Sequence, residues 1–435
     1  MQTKLGWNIA PKSLLAALLA MACAVTPWSG ASAHTYKFRT LYSFCAEASC
    51  TDGAEPLAGL MMDQAGNLYG TTIGGGGQNG GTVFVLQPIG KRWKHKSLYS
   101  FCSQTNCADG NAPATSLIVD TSGHLYGTTQ RGGPYGNDAG TAFELLWNGN
   151  KWKFKQLYAF CAQQPCLDGS TPSSGLTYVG AAAGSPYDGT SALFGTTGGG
   201  GSGAVAPAGV AFRLEPQNRR WRQTVVYNFC SATDCADGAS PNAPVLDSAG
   251  RLWGTTSSGG NHRGGGVVYS ISGRQESVEY EFCSDTDNCL DGAFPRSPVY
   301  LDHSGHIVGT TPLGGSDIAN GFGTLFAVSG GLEQVLYTFC PRGGNCAHGD
   351  NPSSGVIEDS SGNIFGTTAQ GDPDGVVYEF GSGTERVLHT FCSEANCTDG
   401  STPSGGLIMD TAGNLYGTTQ AGGAHGGGTV FELKY

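Results

Sequence analysis

The chain has 435 residues, 71 of them glycine, and a formal net charge of −11. With 39% hydrophobic residues it can bury a core, which excludes a disordered low-complexity chain. The acidic balance excludes nucleic acid as a partner, because counterion displacement needs clustered Lys and Arg.

In chain order, the N-terminus comes first. Lys4 and Lys12 accompany an apolar run from Leu14 to Val25, and Ala31-Ser32-Ala33 offers small residues for cleavage. This predicts a secretory signal peptide over 1–33, removed before His34, and a single domain over 34–435. The other reading is an uncleaved N-terminal anchor; the run is short for a membrane span. No later segment is apolar enough to span. The mature protein is therefore expected to be soluble, monomeric, and secreted or periplasmic.

From there the chain repeats. Gly-Thr-Thr occurs seven times, beginning at Gly70, Gly127, Gly195, Gly254, Gly309, Gly366 and Gly417. The first copy shows the whole unit. Leu41-Tyr42-Ser43-Phe44 runs into Cys45, then Cys50, Asp52-Gly53 and Pro56. A short run from Gly59 ends at Asp63-Gln64-Ala65-Gly66-Asn67, a turn with glycine at the left-handed position. Leu68-Tyr69-Gly70-Thr71-Thr72, a glycine-rich loop and Gly81-Thr82-Val83-Phe84-Val85-Leu86 follow. Four β-type runs per unit, seven times over, predict an all-β fold: a seven-bladed β-propeller of four-stranded blades. Residues from His34 to Phe44 supply one last strand, whereas the unit from about Cys397 to Tyr435 lacks it. The ring is thus expected to close by pairing the N-terminal strand with the C-terminal blade, which removes open edges.

The run Gly413-Asn414-Leu415-Tyr416-Gly417-Thr418-Thr419, followed by Gly422-Gly423 and Gly428-Thr429-Val430-Phe431-Glu432-Leu433, resembles the GloVer tandem-repeat family of bacterial surface and secreted proteins. The resemblance extends over essentially all of 35–435. It implies an exported repeat protein. Proteins of that type often carry a C-terminal surface anchor; none is seen in this sequence. The resemblance carries no catalytic residue and implies no mechanism.

Cys23 falls in the signal segment. The remaining cysteines form one pair per unit: Cys45 with Cys50, Cys102 with Cys107, Cys161 with Cys166, Cys230 with Cys235, Cys283 with Cys289, Cys340 with Cys346 and Cys392 with Cys397. Even pairing in an exported chain points to disulfides. The rival is zinc, which would need two pairs to meet, and pairs spread round a ring do not meet evenly.

Six cysteine loops continue into Asp-Gly, at Asp52, Asp109, Asp168, Asp237, Asp291 and Asp399; the sixth copy has His348-Gly349-Asp350. A ring of carboxylates would hold Ca²⁺ or a cationic ligand. The structural alternative is a turn whose carboxylate bonds its own backbone, and presence in nearly every copy favours that. No other cofactor is expected, and no metal site is assigned.

Differences between copies carry more information about function. Three hairpins are basic and aromatic: Lys91-Arg92-Trp93-Lys94-His95-Lys96, Lys151-Trp152-Lys153-Phe154-Lys155 and Arg219-Arg220-Trp221-Arg222. Trp93, Lys94, Trp152, Lys153, Trp221 and Arg222 are the candidate binding residues, for stacking on sugar rings or holding an acidic polysaccharide. Against this, Lys and Arg protect edge strands and Trp covers neighbouring ones. The third unit departs further, with Tyr178-Val179-Gly180 in place of the Asp turn and an insertion over 181–191. No serine-nucleophile elbow, His-Glu-x-x-His helix or phosphate loop is present. The expected function is a non-catalytic binding or scaffold role outside the cell, with a polysaccharide or cell-surface component as partner. The alternative is a secreted hydrolase or lyase acting on polysaccharide at the channel mouth.

Overall fold

Each Gly-Thr-Thr lies on a sheet strand, the second in the four-stranded sheets, and the reason for its glycine is steric. Gly70 stands opposite Phe84 on the third strand, and a Cβ on it would lie 2.6 Å from the ring. Gly127 with Phe143, Gly195 with Phe212 and Gly417 with Phe431 repeat the arrangement, at 2.8, 2.7 and 2.5 Å. The ring thus fills the space that the missing side chain leaves.

The computed structural model describes residues 35–136, 139–203, 208–218, 220–284, 288–316, 321–341 and 346–435. The signal-peptide segment, Cys23, His34 and Arg219 lie outside the described residues. Seven antiparallel sheets follow one another in chain order, giving a seven-bladed β-propeller. In the first blade the strands are Met61–Met62, Leu68–Thr72, Thr82–Ile89 and Arg92–Ser100, from inner to outer. The N-terminal strand Lys37–Ser43 pairs antiparallel with Thr429–Lys434 and so is the outer strand of the last blade.

Two blades depart from four strands. The third has three, Leu193–Thr197, Val210–Gln217 and Arg220–Asn228; its inner strand is reduced to one bridge, Thr177 with Phe194. The cause is the substituted turn: without the Asp, the chain leaves the sheet at Tyr178. The fourth gains a strand, Ala239–Pro241, beside Leu252–Ser258.

The core lies between blades. One apolar cluster joins Phe44, Leu60, Phe84, Tyr416 and Val430, from the last and first blades. Burial of such clusters at each junction is the dominant cohesive contribution.

Threonine hydroxyls add a polar ring. The first threonine of each motif donates to a carbonyl in the next blade, just before its inner strand. Thr71 reaches Thr115 O at 3.2 Å, Thr128 reaches Ser174 O at 3.0 Å, and Thr196 reaches Asn242 O at 2.9 Å. Thr255 reaches Ser297 O at 3.4 Å, Thr310 reaches Ser354 O at 3.1 Å, and Thr367 reaches Pro403 O at 3.4 Å. Thr418 completes the set on Ala58 O at 3.1 Å. The second threonine instead holds the glycine loop: Thr72 Oγ1 donates to Gly74 O at 2.9 Å and accepts from Thr82 N at 3.1 Å.

Candidate functional site

The seven cysteine pairs are disulfides, each closing a loop within one unit. Cys45 bonds Cys50, Cys102 bonds Cys107, Cys161 bonds Cys166, and Cys230 bonds Cys235. Cys283 bonds Cys289, Cys340 bonds Cys346, and Cys392 bonds Cys397. Among the described residues, one group could bring metal ligands together, Asp374 with Cys392 and Cys397, and those two sulfurs are bonded to each other. Glycine loops interleave with the bridged loops. Gly76 N donates to Cys50 O at 2.9 Å, and a Cβ on Gly80 would lie 2.6 Å from Cys102 Cβ.

Each Asp-Gly carboxylate is buried inside its own loop. Asp52 accepts from Tyr42 Oη at 2.7 Å and from Ala46 N and Glu47 N at 3.0 and 3.3 Å. Asp109, Asp168, Asp237 and Asp291 accept from Tyr99, Tyr158, Tyr227 and Tyr280 at 2.6–2.8 Å. Burial and these carboxylates push the phenol pKa values well up. On the outer strand of the sixth blade His389 replaces the tyrosine, and its Nε2 stands 3.3 Å from Asp399. The carboxylates therefore do not converge on a common cation, and none lines the channel mouth.

The sixth unit substitutes a different pair. His348 Nδ1 lies 2.6 Å from Glu385 Oε2, and Tyr337 Oη donates to the same oxygen at 3.5 Å. Burial raises the Glu385 pKa, and the histidine opposes the shift.

Trp93, Trp152 and Trp221 are half-buried on outer strands, facing the preceding blade. Trp93 packs on Tyr416 with ring centroids 6.3 Å apart, and Trp221 on Tyr126 at 6.4 Å. Trp152 joins the cluster around Phe143 and Leu145 and lies 5.2 Å from Trp147. Much of each indole thus covers a blade junction, whereas Lys94, Lys153 and Arg222 are exposed. The three tryptophans sit on three blades and do not form one continuous platform.

Two of the open surfaces lie at the channel mouth and along the third blade. At the channel mouth all seven blades contribute equivalent residues to a cavity of about 310 Å³, among them Gly59, Ser116, Ser173, Ala243, Ser353 and Ser404. Arg296 is the one charged side chain among the described residues lining it. A second, more open groove of about 520 Å³ runs along the outer strand of the third blade. Gln163, Arg222, Thr224, Asn228, Ser231 and, from the next blade, Arg274 line it. Arg222 is visible in the sequence as part of a basic hairpin. Gln163 and Arg274 carry no such signal, since they come from different units and meet only when blades pack side by side.

The profile of the Gloeobacter/Verrucomicrobia repeat matches residues 30–192 and 178–348. The chain belongs to this repeat family. No curated protein matches it. Solved structures similar to this member of the repeat family include a luciferin-regenerating enzyme, 10% identical with a TM-score of 0.40, covering 92% of this chain and 95% of that one. Another is a protein assigned as an oxidoreductase (glucose dehydrogenase) from Thermus thermophilus, 11% identical with a TM-score of 0.38, covering 92% of this chain and 99% of that one. Likenesses of this size carry no argument about the chemistry of the repeat protein.

Proposed function

We propose that the chain is an exported, non-catalytic binding or scaffold propeller that takes an acidic polysaccharide in the groove along its third blade. The observation that carries this reading is charge placement. On a protein of net charge −11, the groove gathers Arg222 and Arg274 with amide and hydroxyl groups and has no carboxylate in its described lining. Guanidinium forks suit sugar carboxylates, and the neighbouring Gln163, Asn228 and Ser231 can bond ring hydroxyls. Export is supported by the disulfides, by family membership and by the signal-like N-terminal sequence. No helix among the described residues is long and apolar enough to cross a membrane.

The test is calorimetric titration of the mature protein with a polyuronate and with a neutral glucan. R222A/R274A is expected to weaken polyuronate binding at least tenfold and leave any glucan binding unchanged. Equal polyuronate affinity in the folded double variant would overturn the reading.

A further inference from the structure

The irregular third unit builds a cavity of its own. Where the other units place an Asp turn, residues 178–191 leave the sheet and return across the second blade. Tyr187 is fully buried there, its ring edge-on to Tyr126 at 5.1 Å, and its carbonyl accepts from Thr121 N at 3.0 Å. Tyr178 Oη donates to Ser185 O at 2.7 Å, and Tyr187 Oη to Ser191 O at 2.7 Å. Asp188 ties the return, accepting from Thr190 N and Ser191 N at 2.8 and 2.7 Å. The segment is therefore a built wall with anchors at both ends.

Between this wall and the inner strands of the first two blades lies a cavity of about 730 Å³. Its size falls in the range of small-molecule sites. Met62, Tyr69, Ile118, Val119, Leu176 and Tyr178 supply an apolar and aromatic interior, and methionine adapts its shape to a guest. The charged groups in the described lining are both acidic, Asp63 and Asp120, and no Lys, Arg or His is among them. Their oxygens already accept from turn backbone and from Tyr69 and Tyr126 hydroxyls, at 2.8–3.1 Å. An anion would meet two carboxylates and no cation here, whereas an uncharged apolar body meets no such repulsion. We propose that this cavity is a binding site for a small uncharged amphiphile, ring-bearing and apolar in body, and that the third-unit segment exists to form it. The site is separate from the polysaccharide groove and does not depend on it.

The probe is N-phenyl-1-naphthylamine, which is neutral and fluoresces in apolar surroundings. The mature protein is expected to bind it saturably at one site, and its anionic sulfonate analogue at least tenfold more weakly. Met62→Glu should weaken the neutral probe at least tenfold, and so should replacing residues 178–189 by the Asp-Thr-Ala-Gly turn of the last unit. A milder variant, Tyr178→Ala, covers the case in which the turn replacement fails to fold. Each variant is checked for an unchanged unfolding midpoint. Unchanged probe affinity in folded Met62→Glu and Tyr178→Ala, or preference for the sulfonate, would overturn the proposal. Polyuronate binding by the same variants should match the parent protein, so failure of one site leaves the other readable.

Discussion

The Thr418 hydroxyl donates to the Ala58 carbonyl oxygen at 3.1 Å, bridging 360 positions of sequence. It is the same bond that Thr196 makes to Asn242 at 2.9 Å between adjacent interior blades. Ring closure thus uses the repeat's own chemistry, together with the strand Lys37–Ser43 lent to the last blade.

Removing one clasp should cost what a buried hydrogen bond is worth. Thr418→Val keeps the shape and deletes the donor, so a loss of about 1–3 kcal/mol is expected. Thr196→Val should lose a similar amount. Guanidinium unfolding monitored by tryptophan fluorescence reads both. A loss no greater than that of the exposed control Thr190→Val would show that the clasps contribute nothing to holding the ring.

The motif's glycine can be tested through its partner. Gly195→Ala would set a Cβ 2.7 Å from the Phe212 ring, which is fully buried. Overpacking of this kind costs about 1–3 kcal/mol. Phe212→Leu should then be less harmful in the Gly195→Ala background than alone. Additive losses in that double-mutant cycle would place the cause of the glycine elsewhere.

All fourteen disulfide cysteines have positive φ, between 42° and 70°. A short loop gains roughly 2 kcal/mol from its bridge, and the backbone shape adds a second requirement. Alanine disfavours the left-handed region by roughly 1–2 kcal/mol, while glycine accepts it at some cost in chain entropy. The double variant Cys102→Gly with Cys107→Gly should therefore unfold at higher denaturant than Cys102→Ala with Cys107→Ala, by about 1 kcal/mol or more for the pair. Both lack the bridge, so equal midpoints would mean that the bridge alone defines the loop.

Blade count, disulfide pairing and the split last blade were legible because they rest on residues recurring at near-constant spacing. The clasps were not, because a threonine's acceptor lies some 44 residues on in the next blade, where its neighbours give no sign of it. Tyr178-Val179-Gly180 was readable as a departure from the repeat. That it empties the inner strand and roofs a cavity over the first two blades depends on packing between units. The tryptophans show the opposite limit: Trp93 reads as a binding ring beside lysines, and its contact with Tyr416 comes from the far end of the chain.

The outer-strand residue beside each bridged loop differs between copies, and where it titrates it should contribute to pH dependence. It is His95 against Tyr42, stacked at 4.4 Å, and Glu276 beside Tyr227 and Asp237. Burial foremost, then Asp237, raises Glu276 to about 7. Its contribution to stability is full below pH 4.5 and is lost as pH rises through 7, on the order of 1–2 kcal/mol after solvent screening of a half-exposed group. Burial lowers His95 from 6.5, so its contribution is present above pH 6.5 and is lost as pH falls through the depressed value. The two trends oppose each other on the acid side of pH 6.5. Compared with the parent, Glu276→Gln should lose more stability on acidification, because the Glu276 contribution at low pH is gone. His95→Phe, which copies Phe154 stacked on Tyr99 in the next blade, should lose less stability on acidification than the parent. Unfolding midpoints at about pH 4 and about pH 7.5, on either side of the span from 4.5 to 7, decide it. Parallel profiles for the parent and both variants would mean that neither group is coupled to folding.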